Sequence, residues 1–220
     1  LLCYESENSG SDISCYVMED YFGLLDDGEG AKPLREKADL GIGRFPVTTQ
    51  AEAKVMVDKC ITFMSRSNAG AWKNLVYVLG DDGDENTHMD GADQVAEQIR
   101  QTNPGSEVHK VHWDAYQRVS TIKGNTYPEV NSLIRRQMTD GALVMNYTGH
   151  GATYTLSHEF VLQTEDFSSS CSQNLPLWVT AACDVMPFDG QITNIGETAV
   201  LNPQGGALAF YGTTRTVFAW

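Results

Sequence analysis

The chain has 220 residues, of which 41% are hydrophobic and 20% charged, enough apolar mass for a packed core and too little charge for wholesale disorder. Its formal net charge is -14, with 29 acidic residues against 15 basic, and so acidic a surface repels both phosphate backbones and anionic lipid. Nucleic acid is thereby excluded as a partner, and no apolar run reaches the roughly 18 residues a membrane-spanning helix needs.

At Leu1 no basic stretch precedes an apolar one, as a signal peptide would require, and the acidic, glycine- and serine-rich first 40 residues show no periodicity; the chain reads as a piece of a longer polypeptide. The spacing predicts a first helix over 49–64, with Thr49 and Glu52 as a capping box. Ala53, Met56, Val57, Cys60 and Met64 recur at helical spacing, which predicts an inert, core-facing Cys60. A polar stretch at 65–74 is a plausible subdomain join. Beyond it, Leu75–Leu79 is the short apolar run of a buried parallel strand, followed by a polar loop at 80–90 and a helix over 91–102. A strand at 108–113, a helix from Pro128 to about Thr139, and strands at 142–147, 177–182 and 207–211 complete the pattern. Strands alternating with helices predict an α/β fold with a mostly parallel sheet, whose functional residues lie beyond the carboxyl ends of the strands.

Those ends carry chemistry. Gly80-Asp81-Asp82-Gly83-Asp84 follows the first apolar run, Thr148-Gly149-His150-Gly151 the third, and Cys183 the fourth. Acid, histidine and cysteine are the parts of a nucleophilic thiol with its base and an orienting carboxylate. A thiol of ordinary pKa is mostly protonated and needs an imidazole to take its proton. The N–H groups of Gly151 and Cys183 are candidate oxyanion donors. The acidic loop is also compatible with a structural calcium ion, or with a metallohydrolase built on Asp81, Asp82 and Asp84, although it lacks the register of an EF-hand. His109 and His112 read as structural, His158 as bordering the cleft, and His88 as ending the acidic loop; their spacing does not suggest a zinc site, so no metal ligand is expected. Five cysteines, Cys3, Cys15, Cys60, Cys171 and Cys183, leave at least one thiol unpaired, and no CxxC is present.

An apolar block ending in His150-Gly151, then a second ending in Ala182-Cys183, resembles the caspase-like cysteine peptidases. Asn146-Tyr147-Thr148-Gly149-His150-Gly151 and Gly41-Ile42-Gly43-Arg44-Phe45-Pro46-Val47 resemble the gingipain family in particular. Tyr21-Phe22-Gly23, Asp81-Asp82-Gly83-Asp84, Gly205-Gly206-Ala207 and Thr213-Thr214-Arg215 are similar to the branch of that family that acts as a sortase in type IX secretion. The flank Asp184-Val185-Met186-Pro187 departs from that branch. The resemblance implies a caspase-like (gingipain-type) three-layer α/β sandwich, with residues 1–70 ending a first subdomain and 71–220 forming a catalytic subdomain incomplete at its C-terminus. It implies Cys183 as nucleophile, His150 as base and Asp82 as the orienting acid, with Asp81 as the alternative. It places substrate-binding roles at Glu85 and Phe218. No cofactor is required. The implied substrates are the C-terminal domains of secreted cargo proteins, with lipopolysaccharide as acceptor and outer-membrane secretion proteins as partners at the bacterial cell surface. A general secreted endopeptidase and an inactive gingipain-like scaffold are the alternatives.

Overall fold

The computed structural model describes residues 3–6, 11, 13, 15, 17–65, 68–122 and 124–217. Near the N-terminus β1 (Tyr4–Glu5) and β2 (Val17–Met18) pair antiparallel. Helix α1 (Gln50–Met64) starts where the capping box predicts: Thr49 accepts from the Glu52 N–H while Glu52 accepts from the Thr49 N–H.

The central sheet then assembles from β3 (Leu75–Gly80), helix α2 (Thr87–Thr102) and β4 (Glu107–His112), followed by a small hairpin of β5 (Val119–Thr121) and β6 (Gly124–Thr126). Helix α3 (Pro128–Asp140) leads to β7 (Val144–Thr148), and a side sheet of β8 (Gly151–Ala152), β9 (Thr155–Leu156) and β10 (Leu162–Gln163) follows. The short α4 (Thr164–Ser168) connects to β11 (Leu177–Ala181), and α5 (Ile195–Leu201) to β12 (Ala209–Tyr211). Five strands lie parallel in the order β12-β11-β7-β3-β4.

Alternation along the strands sorts the core into two layers. Val76 and Val78 of β3 pack with Ala92 and Ala96 of α2 on one face. Leu79, Met145, Tyr147 and Trp178 pack on the other with Met56 of α1, Val130, Ile134 and Met138 of α3, and Ile195 and Ala199 of α5. From β3 the chain moves outward to β4, then returns past β3 to β7 and on to β11 and β12. The winding direction therefore reverses between β3 and β7, and a parallel sheet opens a crevice beyond the strands' carboxyl ends at such a reversal.

Two expectations need correction. Helix α2 begins at Thr87 rather than Gly91, so His88 sits in its first turn and not at the end of a loop. Helix α1 buries Met56 and Lys59, whereas Val57 and Met64 are exposed and Cys60 is half-buried. The reason is Lys59. Its stem takes the inward position and its ammonium donates to the carbonyls of Val200 (2.7 Å), Gly205 (2.9 Å) and Ala207 (3.1 Å), turning the apolar row of α1 partly to solvent.

Burial lowers the Lys59 pKa from the usual 10.5 to about 8. Replacing it by Met leaves buried carbonyls without a donor, so Lys59→Met is expected to cost about 1–3 kcal/mol in a denaturant melt. Between pH 8 and 10.5 the unfolded chain binds more protons than the native one at this group. The parent's stability relative to Lys59→Met should therefore rise with pH across that window. A difference that is flat or falls would contradict the buried-ammonium account.

Candidate active site

Beyond the last paired residues of β7 and β11, Thr148 and Ala181, the Gly149 N–H donates to the Ala181 carbonyl at 3.1 Å. His150 and Cys183 each lie two positions past that pair, on the same sheet edge. The loops touch closely: a Cβ on Gly151 would stand 2.8 Å from Ala182 Cβ and 2.9 Å from the Cys183 carbonyl oxygen. Only glycine fits there.

A buried carboxylate fixes the histidine's backbone. Asp81 is fully buried and its Oδ2 accepts from the His150 N–H at 3.0 Å and from the Tyr147 hydroxyl at 3.1 Å. Tyr147 is itself buried and donates as well to the His150 carbonyl at 2.7 Å. Burial pushes the Asp81 carboxyl above its ordinary pKa, partly offset by those hydrogen bonds, and burial with the Asp81 charge pushes the Tyr147 phenol well up. At Gly149 a Cβ would lie 2.3 Å from Asp81 Cβ, so the glycine before His150 is sterically required.

The imidazole meets a different acid. His150 Nε2 lies 3.0 Å from Asp84 Oδ2, not beside Asp82. Asp82 instead accepts from the Tyr127 hydroxyl at 2.7 Å and lies 4.0 Å from Arg118. The structure thus places Asp84 beside the His150 ring, where Asp82 was expected. The cause is the backbone after β3: Gly83 at φ 87 is followed by Asp84, Glu85 and Asn86 at φ 43, 54 and 71. Three consecutive non-glycine residues in the left-handed region swing Asp84 back over the sheet edge. Such a run goes against ordinary propensity, and nothing in the sequence signals it. Glu85 is exposed in this same turn. Phe218 lies outside the described residues.

Two further histidines enclose His150. The His158 ring stacks on it with centroids 3.9 Å apart and planes 13° apart. The His88 ring meets it edge-on at 4.9 Å and 82°. Asp84, His88 and His150 thereby converge, against the expectation that the histidines stay dispersed. His109 stacks on Tyr77 at 4.9 Å and pairs with Glu107 at 2.8 Å, and His112 lies 3.1 Å from Asp93, both on β4 and away from this group. The acids of the 81–84 loop also part company: Asp81 and Asp82 group with Glu159, while Asp84 groups with the histidines.

Cys183 is a half-buried free thiol that donates to the Val217 carbonyl at 3.2 Å and accepts from the Val217 N–H at 3.4 Å, rather than bonding to His150. Segment 213–217 is tied over this loop, with the Asp184 N–H donating to the Arg215 carbonyl (3.3 Å) and the Met186 N–H to that of Thr213 (2.9 Å). Asp189 and Arg215 form a bidentate pair at 3.0 and 2.6 Å, and the guanidinium holds the Asp189 carboxyl below its usual range. The Ser157 N–H donates to the His150 carbonyl, so Gly151 opposite Leu156 is a non-hydrogen-bonded position of the β8–β9 pair. Its N–H therefore faces away from β9, outside the ladder. The loops that carry the Cys183 thiol and the His150 imidazole thus adjoin at one sheet edge, with the Asp84 carboxylate 3.0 Å from the imidazole, and these are the group types that thiol acyl transfer uses.

Arrangement and sheet order define a caspase-like, gingipain-type α/β scaffold. The sequence profile of Peptidase family C25 matches residues 4–219, and the chain belongs to that family of gingipain-like cysteine peptidases. The crystal structure of the Arg-specific cysteine proteinase gingipain R (RgpB) superposes with a TM-score of 0.70 at 15% identity, over 92% of this chain and 45% of that one. The complex of Porphyromonas gingivalis RgpB pro- and mature domains gives 0.63 at 16% identity, over 81% and 41%. This chain spans less than half the length of those solved chains. No curated protein matches by sequence.

The geometry separates the acids experimentally. Asp84→Asn should lower kcat about 10–100-fold, less than for a fully buried orienting acid because Asp84 is largely exposed. Asp82→Asn should stay within about threefold of the parent; the opposite ranking in steady-state assays would restore Asp82. At Asp81 the native state holds its proton to higher pH than the unfolded chain, whose ordinary pKa is 3.8. As pH rises through that window the parent should therefore lose stability relative to Asp81→Asn, as read by thermal melts from acid to neutral pH.

Proposed function

We propose that this chain is the core of a cysteine peptidase that cleaves C-terminal secretion signals from cargo proteins, the role of the type IX sortase PorU. The observation that carries the reading is that the Cys183 and His150 loops adjoin on one sheet edge, held by the pairing of Thr148 with Ala181, with Asp84 3.0 Å from the His150 ring. The resemblance of Tyr21-Phe22-Gly23, Gly205-Gly206-Ala207 and Thr213-Thr214-Arg215 supports the sortase branch.

With its proton on Nε2, which lies 3.0 Å from the Asp84 carboxylate, the imidazole keeps a lone pair on Nδ1 for the thiol proton. The Cys183 sulfur bonds to the scissile carbonyl carbon, and the oxyanion is received by the Gly151 and Cys183 N–H groups. Collapse breaks the C–N bond, and His150 returns the proton to the departing amine. The thioester then passes its acyl group to water, or to an amine of lipopolysaccharide. The chemistry uses no cofactor. On this reading residues 1–70 close a first subdomain, 71–220 carry catalysis, and the enzyme works at the outer face of the bacterial outer membrane with the secretion complex.

One observation favours a second reading, a secreted endopeptidase that cleaves after basic residues. Glu85 is exposed directly beside Asp84, where a carboxylate would meet a cationic side chain.

The test offers the parent chain a panel of cargo C-terminal peptides with an amine acceptor, followed by mass spectrometry. Amide-linked product supports the sortase. Hydrolysis after Arg or Lys in arbitrary peptides supports the second reading. Cys183→Ala and His150→Ala should each lower kcat/KM by at least about 10³-fold, and a chain whose Cys183→Ala variant keeps its activity is not a thiol peptidase.

A further inference from the structure

We propose that Asp84, His88 and His150 form a binding site for a zinc-like divalent transition-metal ion, and that its occupancy holds the peptidase inactive. The three ligand atoms lie within 4.8 Å of one another. Asp84 Oδ2 stands 3.0 Å from His150 Nε2 and 3.3 Å from His88 Nε2. Tetrahedral zinc with bonds of about 2.0–2.1 Å sets its ligand atoms about 3.3 Å apart, so the group needs little movement to close on an ion.

A second observation points the same way. His88 is nine-tenths buried, and its Nε2 has no hydrogen-bond partner among the described residues. The 3.3 Å approach to Asp84 lacks the alignment of a hydrogen bond, which leaves a buried nitrogen aimed into the group. A buried polar atom in that condition is costly unless something coordinates it.

Donor type selects the ion. Two imidazoles and one carboxylate suit zinc and its neighbours, whereas calcium and magnesium prefer oxygen-only shells. Three protein ligands leave a fourth position to water. The ion would take the same His150 nitrogen that faces Asp84, displacing that contact and opposing protonation of the ring. Occupancy and catalysis are therefore mutually exclusive. This inhibitory consequence rests on the peptidase reading; the binding itself does not.

The test titrates Zn²⁺ and Co²⁺ alone into the full chain carrying Cys183→Ala, by calorimetry and visible absorption. One equivalent should bind, with Co²⁺ d–d bands and no thiolate charge-transfer band. His88→Ala should weaken the affinity at least 10-fold. Asp84→Ser, at an exposed position, should weaken it similarly and guards against misfolding of the buried-site variant, with circular dichroism as the check. Unchanged affinity in both variants, or a persistent thiolate band, overturns the site. In the chain with its cysteine intact, zinc should inhibit peptide cleavage, and His88→Ala should raise the inhibitory concentration at least 10-fold. Binding without inhibition would overturn only the regulatory half of the proposal.

Discussion

A buried carboxylate underlies the site. Asp81 accepts the backbone N–H of His150 and the hydroxyl of Tyr147 in a position closed to solvent. Burying an acid is costly, and a raised pKa is the expected consequence. The position is sustained by hydrogen-bond partners from the end of β7, the loop between β7 and β8 and Ser157 just beyond β9. The glycines on either side of His150 follow from this packing. Gly149 yields to the Asp81 side chain and Gly151 to the Ala182–Cys183 backbone. The histidine is placed from both sides before its ring meets anything.

Three acids within four positions do three different jobs. Asp81 holds a backbone, Asp82 takes the Tyr127 hydroxyl, and Asp84 addresses the ring of His150. Spacing in sequence could not separate them. A strand end alternates direction residue by residue, and the left-handed run from Asp84 to Asn86 then resets the chain's course. Resemblance to a family locates such a loop without resolving which carboxylate turns inward.

What was legible followed from periodicity and punctuation. The apolar runs at Leu75, Val144 and Leu177 are parallel strands, Thr49 with Glu52 caps a helix, and Pro128 opens another. Parallel order alone then brings His150 and Cys183 to one edge, because β7 and β11 are neighbours. Three features were not legible. Helix α2 starts in a glutamate- and asparagine-containing turn without a side-chain cap, so its first turn looked like loop. The convergence of His88 on His150 joins segments far apart in sequence. The inward face of α1 runs through a lysine, which hydrophobic patterning assigns to solvent.

That lysine has a consequence for how the chain folds. The last turn of α5 leaves carbonyls without helical partners, and the Lys59 ammonium supplies the donor for Val200 from 141 positions away. A helix of seven residues is too short to persist alone in water. Its C-terminal end is completed only when α1 docks, so α5 depends on a non-local contact and not on its own sequence alone. The same tether spans any cut made in the polar stretch after α1. A nicked chain would keep its two pieces together through an ammonium ion gripped by carbonyls, without a covalent bond between them.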